Sequence, residues 1–181
     1  MTDYGEITAP DTVRIERRLP GPIQRLWAYL TESDKRRLWL ASGEMALQPG
    51  GGVTLVFRNT KLTGHDGSPP PKYAHHAEES QLNGTVIDCD PPRLLRYRWG
   101  ASPNASEVCF ELTEQGADVL LVVTHTRLPT RDEMLSVAAG WHTHLEILIA
   151  RLTDQVPPGF WPLHTQLEAG YETRIPLPTA N

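Results

Sequence analysis

The feature that most constrains this chain is a helical apolar pattern near its end, from Arg131 to Val156, which follows a series of segments that alternate like strands. With Trp141 as origin and 100° per residue, Met134, Val137, Ala138, Leu145, Leu148, Ile149, Leu152 and Val156 fall within one broad stripe. A helix of that length with one apolar face needs a curved sheet to lie against. The strands before it carry large inward aromatics that a single helix packs only with gaps. The pattern points to a helix closing over a pocket, with a solid core as the rival arrangement.

The rest of the chain reads as that sheet. Asp11 to Leu19 alternates Val13, Ile15, Arg17 and Leu19 against polar neighbours and ends at Pro20-Gly21-Pro22. Ile23, Leu26, Trp27 and Leu30 then give a short helix begun by proline, and Ser33 caps a second over Asp34 to Leu40. Further strands are expected at Glu44 to Gln48, Val53 to Asn59, Gln81 to Cys89, Arg93 to Trp99, Ser106 to Glu114 and Ala117 to Leu128, about seven in all. The inward sets are Leu95, Tyr97 and Trp99; Val108, Phe110 and Leu112; and Val119, Leu121, Val123 and His125. Lys61 to Ser80, with Gly64, Gly67 and three consecutive prolines, reads as a long polar loop at the rim. Pro157-Pro158 stops the long helix, leaving a tail with a short helix around Leu163 to Tyr171.

The composition removes several classes of function. The chain has 181 residues and a formal net charge of −5, with its basic residues scattered in short groups such as Lys35-Arg36-Arg37. No basic stripe tracks phosphates, so nucleic acid is not an expected partner. No stretch reaches the ~20 apolar residues of a membrane span, and Met1 to Pro10 lacks the character of a secretory signal, so a cytoplasmic location is expected. Cys89 and Cys109 lack CxxC spacing and read as reduced packing residues. The whole chain, 1–181, is expected to form one domain with its core in 11–156 and a tail at 157–181.

The order strand, two short helices, about six strands, long helix is that of the helix-grip fold, an α+β class, and residues 11–156 resemble the START-like SRPBCC superfamily. More specifically, "VRIERRLPGPIQRLWAYLTESDKRRLW", "GTVIDCDPPRLLRYRWG", "THTRLP" and "GWHTHLEILIARL" resemble proteins similar to the activator of the heat-shock-protein-90 ATPase. These are packing and turn signatures and name no reaction. The resemblance implies a cavity between sheet and long helix that takes an apolar molecule, since superfamily relatives bind lipids, sterols, polyketides or plant hormones there and a few catalyse cyclisation or hydroxylation. The eukaryotic co-chaperone has a further N-terminal domain that contributes to chaperone binding, for which these 181 residues leave no room.

The expected function is noncatalytic binding of a small apolar or amphipathic ligand. The cavity candidates are Trp27, Trp39, Phe57, Tyr97, Trp99, Phe110, His125 and Trp141, with the loop from Lys61 to Ser80 gating access. His125 is read first as a core histidine bonded to backbone and second as a group that orients a ligand; His144 sits at the border of the helix stripe, within reach of the cavity edge. A chaperone-binding or ATPase-binding protein, docking through Phe160, Trp161, Leu163, Leu167 and Tyr171, is the second reading, and a cyclase-like enzyme with His125 as acid or base the third. A homodimer through the last strand or the tail stays open. No cofactor and no metal are expected: His142 and His144 point ~200° apart on a helix, and His75-His76 with Glu78-Glu79 lack ligand spacing. Gly50-Gly51-Gly52 precedes a strand, not a helix, and no GxSxG segment is present, so neither phosphate cradling nor serine hydrolysis is expected.

Overall fold

The computed structural model describes residues 3–179. Its sheet is built from β1 (Glu6–Ala9), β2 (Thr12–Pro20), β3 (Gly52–Phe57), β4 (Ser80–Asp90), β5 (Leu94–Arg98), β6 (Glu107–Gln115) and β7 (Asp118–Thr126), in the order β1-β2-β7-β6-β5-β4-β3 with every neighbouring pair antiparallel. Two short helices, α1 (Ile23–Thr31) and α2 (Ser33–Arg36), follow β2, and α3 (Arg131–Leu152) lies after the last strand. This is the α+β helix-grip arrangement: an open, curved antiparallel sheet around a long helix. Register shifts in the β1–β2 and β4–β5 pairs mark bulges, which add local twist and bend.

Period-two alternation does what the sequence implies. Val13, Ile15, Leu19, Leu95, Tyr97, Val108, Phe110, Leu112, Val119, Leu121, Val123 and His125 are all buried on the concave face. His125 sits in register with Val108 on one side and Val13 on the other, at the same level as Tyr97. Helix α3 begins with a threonine N-cap: the Thr130 hydroxyl oxygen accepts from the Glu133 backbone N–H, and the same hydroxyl donates to the Glu133 carboxylate at 2.9 Å. It is buried on more than one face, because a fourth helix, α4 (Phe160–Glu172), covers a second side of it.

Several expectations need correcting. The strand count is met with different members: β1 was not foreseen, whereas Glu44 to Gln48 makes only isolated bridges, Met45 to Val53 with Ser42 to Val56 nearby. Helix α2 stops at Arg36, and Ser33 accepts from the Gly43 N–H instead of capping it. The long helix ends at Leu152, where Asp154 takes a left-handed φ of 55°, so Val156 falls outside the stripe and is 84% exposed. The tail is no free docking element: Phe160, Trp161, Leu167 and Tyr171 are buried and Leu163 is partly so. The Tyr171 hydroxyl lies 2.8 Å from both the Gly5 nitrogen and His142 Nδ1, tying the residue before β1 to α3 and α4.

Candidate functional site

Where α3 passes the open end of the sheet, its side chains do not fill the space. Ser136, Gly140 and His144 recur every four residues along one side of α3, with Val137 and Trp141 beside them, and they face a cavity of about 250 Å³. From the sheet come Phe57 at the end of β3, Leu82 of β4, Trp99 just beyond β5 and His125 of β7. Asn59, Tyr73 and His76 from the segment after β3, and Phe160, Trp161 and His164 from α4, form the outer wall, with Leu40 and the β4 residues Ser80 and Gln81 completing the lining. The volume lies just below the ~300–1,000 Å³ usual for small-molecule pockets, and no Asp, Glu, Lys or Arg lines it among the described residues.

The outer wall is held together by bonds between its two distant pieces. Asp66 is buried and accepts from the backbone N–H groups of Thr63 (2.8 Å), Gly64 (3.1 Å) and Phe160 (3.1 Å), while its own carbonyl accepts from Trp161 N–H at 3.0 Å. A loop carboxylate therefore serves the start of α4, where orphan amides and the helix dipole favour it. Gly159, just before that helix, lies so close to the loop that a Cβ would sit 2.4 Å from the His65 carbonyl oxygen. Further along, Tyr73 and Lys72 both donate to Glu168 of α4, at 2.8 and 2.7 Å, and the Trp161 indole donates to Thr60.

The histidines on this wall are neutral, and their partners fix the state of two of them. An indole N–H only donates, so the 3.0 Å contact from Trp141 Nε1 makes His125 Nδ1 an acceptor; its proton sits on Nε2 and is donated to Ser106 Oγ at 2.8 Å. Burial pushes its pKa down to about 3. His144 is the reverse tautomer: Nδ1 lies 2.7 Å from the Trp39 carbonyl, which only accepts, so Nδ1 carries the proton and Nε2 is the acceptor. Burial holds its pKa near 4, although the bond to Trp39 pulls the other way. His164 is lowered to about 4, chiefly by burial, despite Glu168 close by. Burial also lowers His76, with His75 adding to the effect.

A family model described as "Activator of Hsp90 ATPase homolog 1-like protein" matches residues 20–153. The chain belongs to that family. The solution structure of the protein encoded by gene BPP1335 of Bordetella parapertussis is similar to this member at 44% identity, covering 96% of this chain and 91% of that one with a TM-score of 0.79. The fold is also shared with CalU16 of Micromonospora echinospora (20% identity, 91% of this chain and 87% of that one, TM-score 0.64) and with DynU16, a putative protein in the dynemicin biosynthetic locus (20%, 83% and 51%, TM-score 0.60). No curated protein sequence matches. The span that defines an Hsp90-activator-like protein stops at Thr153, so the part of the cavity wall supplied by α4 lies beyond it.

Of the eight residues singled out in this family member by sequence, Phe57, Trp99, His125 and Trp141 line the cavity; Trp27, Trp39, Tyr97 and Phe110 do not. Tyr97 and Phe110 point inward but lie deeper, covered by the stacked Trp99 ring (6.2 Å from Tyr97) and by the Trp141 ring packed edge-on at 5.4 Å from Phe110. Trp39 is sealed in the core, with its indole donating to the Tyr29 carbonyl at 2.8 Å. Trp27 sits one position off the buried Ile23-Leu26-Leu30 stripe and is half-buried. His125 is bonded to two side chains, not to backbone. Of the lining residues missed, the aromatic ones, Tyr73, His76, Phe160, Trp161 and His164, lie in segments read as rim loop or tail, and their aromatic content was the one signal available there.

Proposed function

We propose that this protein binds a small amphipathic molecule in the cavity between sheet, α3 and α4, without transforming it. The observation that carries the reading is the cavity itself, open in a molecule otherwise well packed and walled by Phe57, Trp99, Trp141, Phe160 and Trp161 with neutral polar groups set among them. An acid–base role for His125 finds no support in the geometry, since both ring nitrogens are engaged by Ser106 and Trp141 and the ring is fully buried.

Native mass spectrometry of freshly purified protein, followed by titration with apolar probes under NMR detection, tests the reading. Saturable shifts concentrated along residues 136–144 and 160–164 are expected. Gly140→Leu is the control: a Cβ at Gly140 meets nothing within 4 Å, so the new side chain grows into the cavity and should block binding while the protein stays folded. If no apolar probe binds saturably, or if Gly140→Leu binds as well as the parent, the cavity is not a ligand site.

A further inference from the structure

Resting on that reading, we propose that the cavity selects uncharged ligands carrying a hydroxyl or N–H group, which donates to His144 Nε2, and that it rejects carboxylates and ammonium groups of the same shape. The Trp39 carbonyl takes the only proton a neutral imidazole has, so His144 presents a lone pair on its remaining nitrogen. Among the described residues, no protein donor meets Nε2, although the ring is 95% buried (5% exposed) on the cavity wall. An acceptor that the protein leaves free on a largely enclosed wall is met best by a donor on whatever occupies the cavity.

The rest of the wall narrows the choice. His125 has no nitrogen to spare. Asn59 Oδ1 and His164 Nδ1, also on the wall, are buried polar atoms without a partner, and the amide oxygen can be met only by a donor. Lys72 and Glu168, which adjoin the wall at Tyr73, are engaged with each other and with the Tyr73 hydroxyl, and neither lines the cavity. An anion entering the cavity leaves water and meets no counter-charge, and a cation fares no better. The His144 ring stands between Phe160 (4.9 Å) and Phe57 (6.2 Å), so a flat apolar body can lie against those rings while its edge reaches Nε2. At about 250 Å³, the space suits one or two fused rings.

The test compares four probes of one shape: 2-naphthol, 2-methoxynaphthalene, naphthalene and 2-naphthoate, titrated calorimetrically at pH 7.5. The inference expects 2-naphthol to bind about tenfold or more tighter than the ether and the hydrocarbon, the scale of one hydrogen bond, and 2-naphthoate not to bind. Long-range proton–nitrogen spectra of the unmutated protein should show His144 protonated at Nδ1, with its Nε2 resonance moving on addition of 2-naphthol. His144→Phe should bring 2-naphthol and naphthalene to equal affinity; the tautomer spectra keep the inference testable if that variant does not fold. Equal binding of 2-naphthol and naphthalene by the parent, or binding of 2-naphthoate, overturns the donor selectivity and leaves the cavity reading standing. Failure of all four probes overturns both.

Discussion

Arg36 is a cation sealed inside the molecule with carbonyl oxygens for partners: those of Leu30 and Thr31 at the end of α1, and of Ala41 and Gly43 beyond α2. Burial lowers its pKa, yet it holds the C-terminal end of one helix to the strand-like segment after the next. Arg36→Met should destabilise by about 3 kcal/mol or more, because several buried carbonyls lose their donor; urea unfolding measures it, and a change within experimental error refutes the assignment. Gly140→Ala should act in the opposite direction, raising stability by about 0.8–1 kcal/mol through helix propensity, since its methyl enters open space. Such residues were only half legible. The basic triplet Lys35-Arg36-Arg37 reads as a solvated surface, and only folding shows that its middle member has turned inward. The histidines teach the same lesson: parity along β7 placed His125 inward, but which nitrogen is free depends on Trp141 and Ser106, residues 16 and 19 positions away.

At the scale of elements, α4 is part of the wall and the core together. Phe160, Trp161, Leu167, Tyr171 and Ile175 are all buried, and burial of each large side chain is worth about 1.5–3 kcal/mol. Truncation after Pro158 should therefore remove a large part of a typical 5–15 kcal/mol stability, seen as a drop in melting temperature and new dye-accessible apolar surface. An unchanged melting temperature would show that α4 is an appendage. Asp66→Ala should reproduce a fraction of the loss, about 1–3 kcal/mol, by leaving the Thr63, Gly64 and Phe160 amides without their acceptor. The long helix, the two helices after β2 and most strands were readable because their periodicity is set by burial on one face. The edges were not. Glu6–Ala9 pairs along one side only and carries a single aliphatic of any size, Ile7, while Glu44 to Gln48 alternates like a strand but is turned away by the glycines that follow. The loop and the tail looked unrelated because the bonds joining them span about a hundred residues, as with Asp66 to Phe160 (94) and Tyr73 to Glu168 (95).

For the molecule as a whole, the buried histidines set the response to acid. His125, His142, His144 and His164 are held at about 3 to 4 in the folded state, against ~6.5 in an unfolded chain. The unfolded chain takes up protons below pH ~6.5 that the folded one refuses. Stability is complete above that value and drains as pH falls, by up to about 1.4 kcal/mol per pH unit for each histidine. The melting temperature should be level from pH 8 to 7 and fall steeply between pH 6.5 and 4; a flat profile across that window would contradict neutral burial. Family membership and fold were available from the sequence because they rest on core pattern and turns. The cavity's outer wall was not, since it arises from how the chain after Thr153 returns to the loop after β3.

Three of the five tryptophans, Trp99, Trp141 and Trp161, stand on the cavity wall, while Trp27 and Trp39 lie away from it. The molecule thus carries its own optical reporter. An occupant changes the polarity and the quenching felt by a majority of its fluorophores and leaves a minority as an internal reference, so occupancy can be read by emission alone, without label or tag.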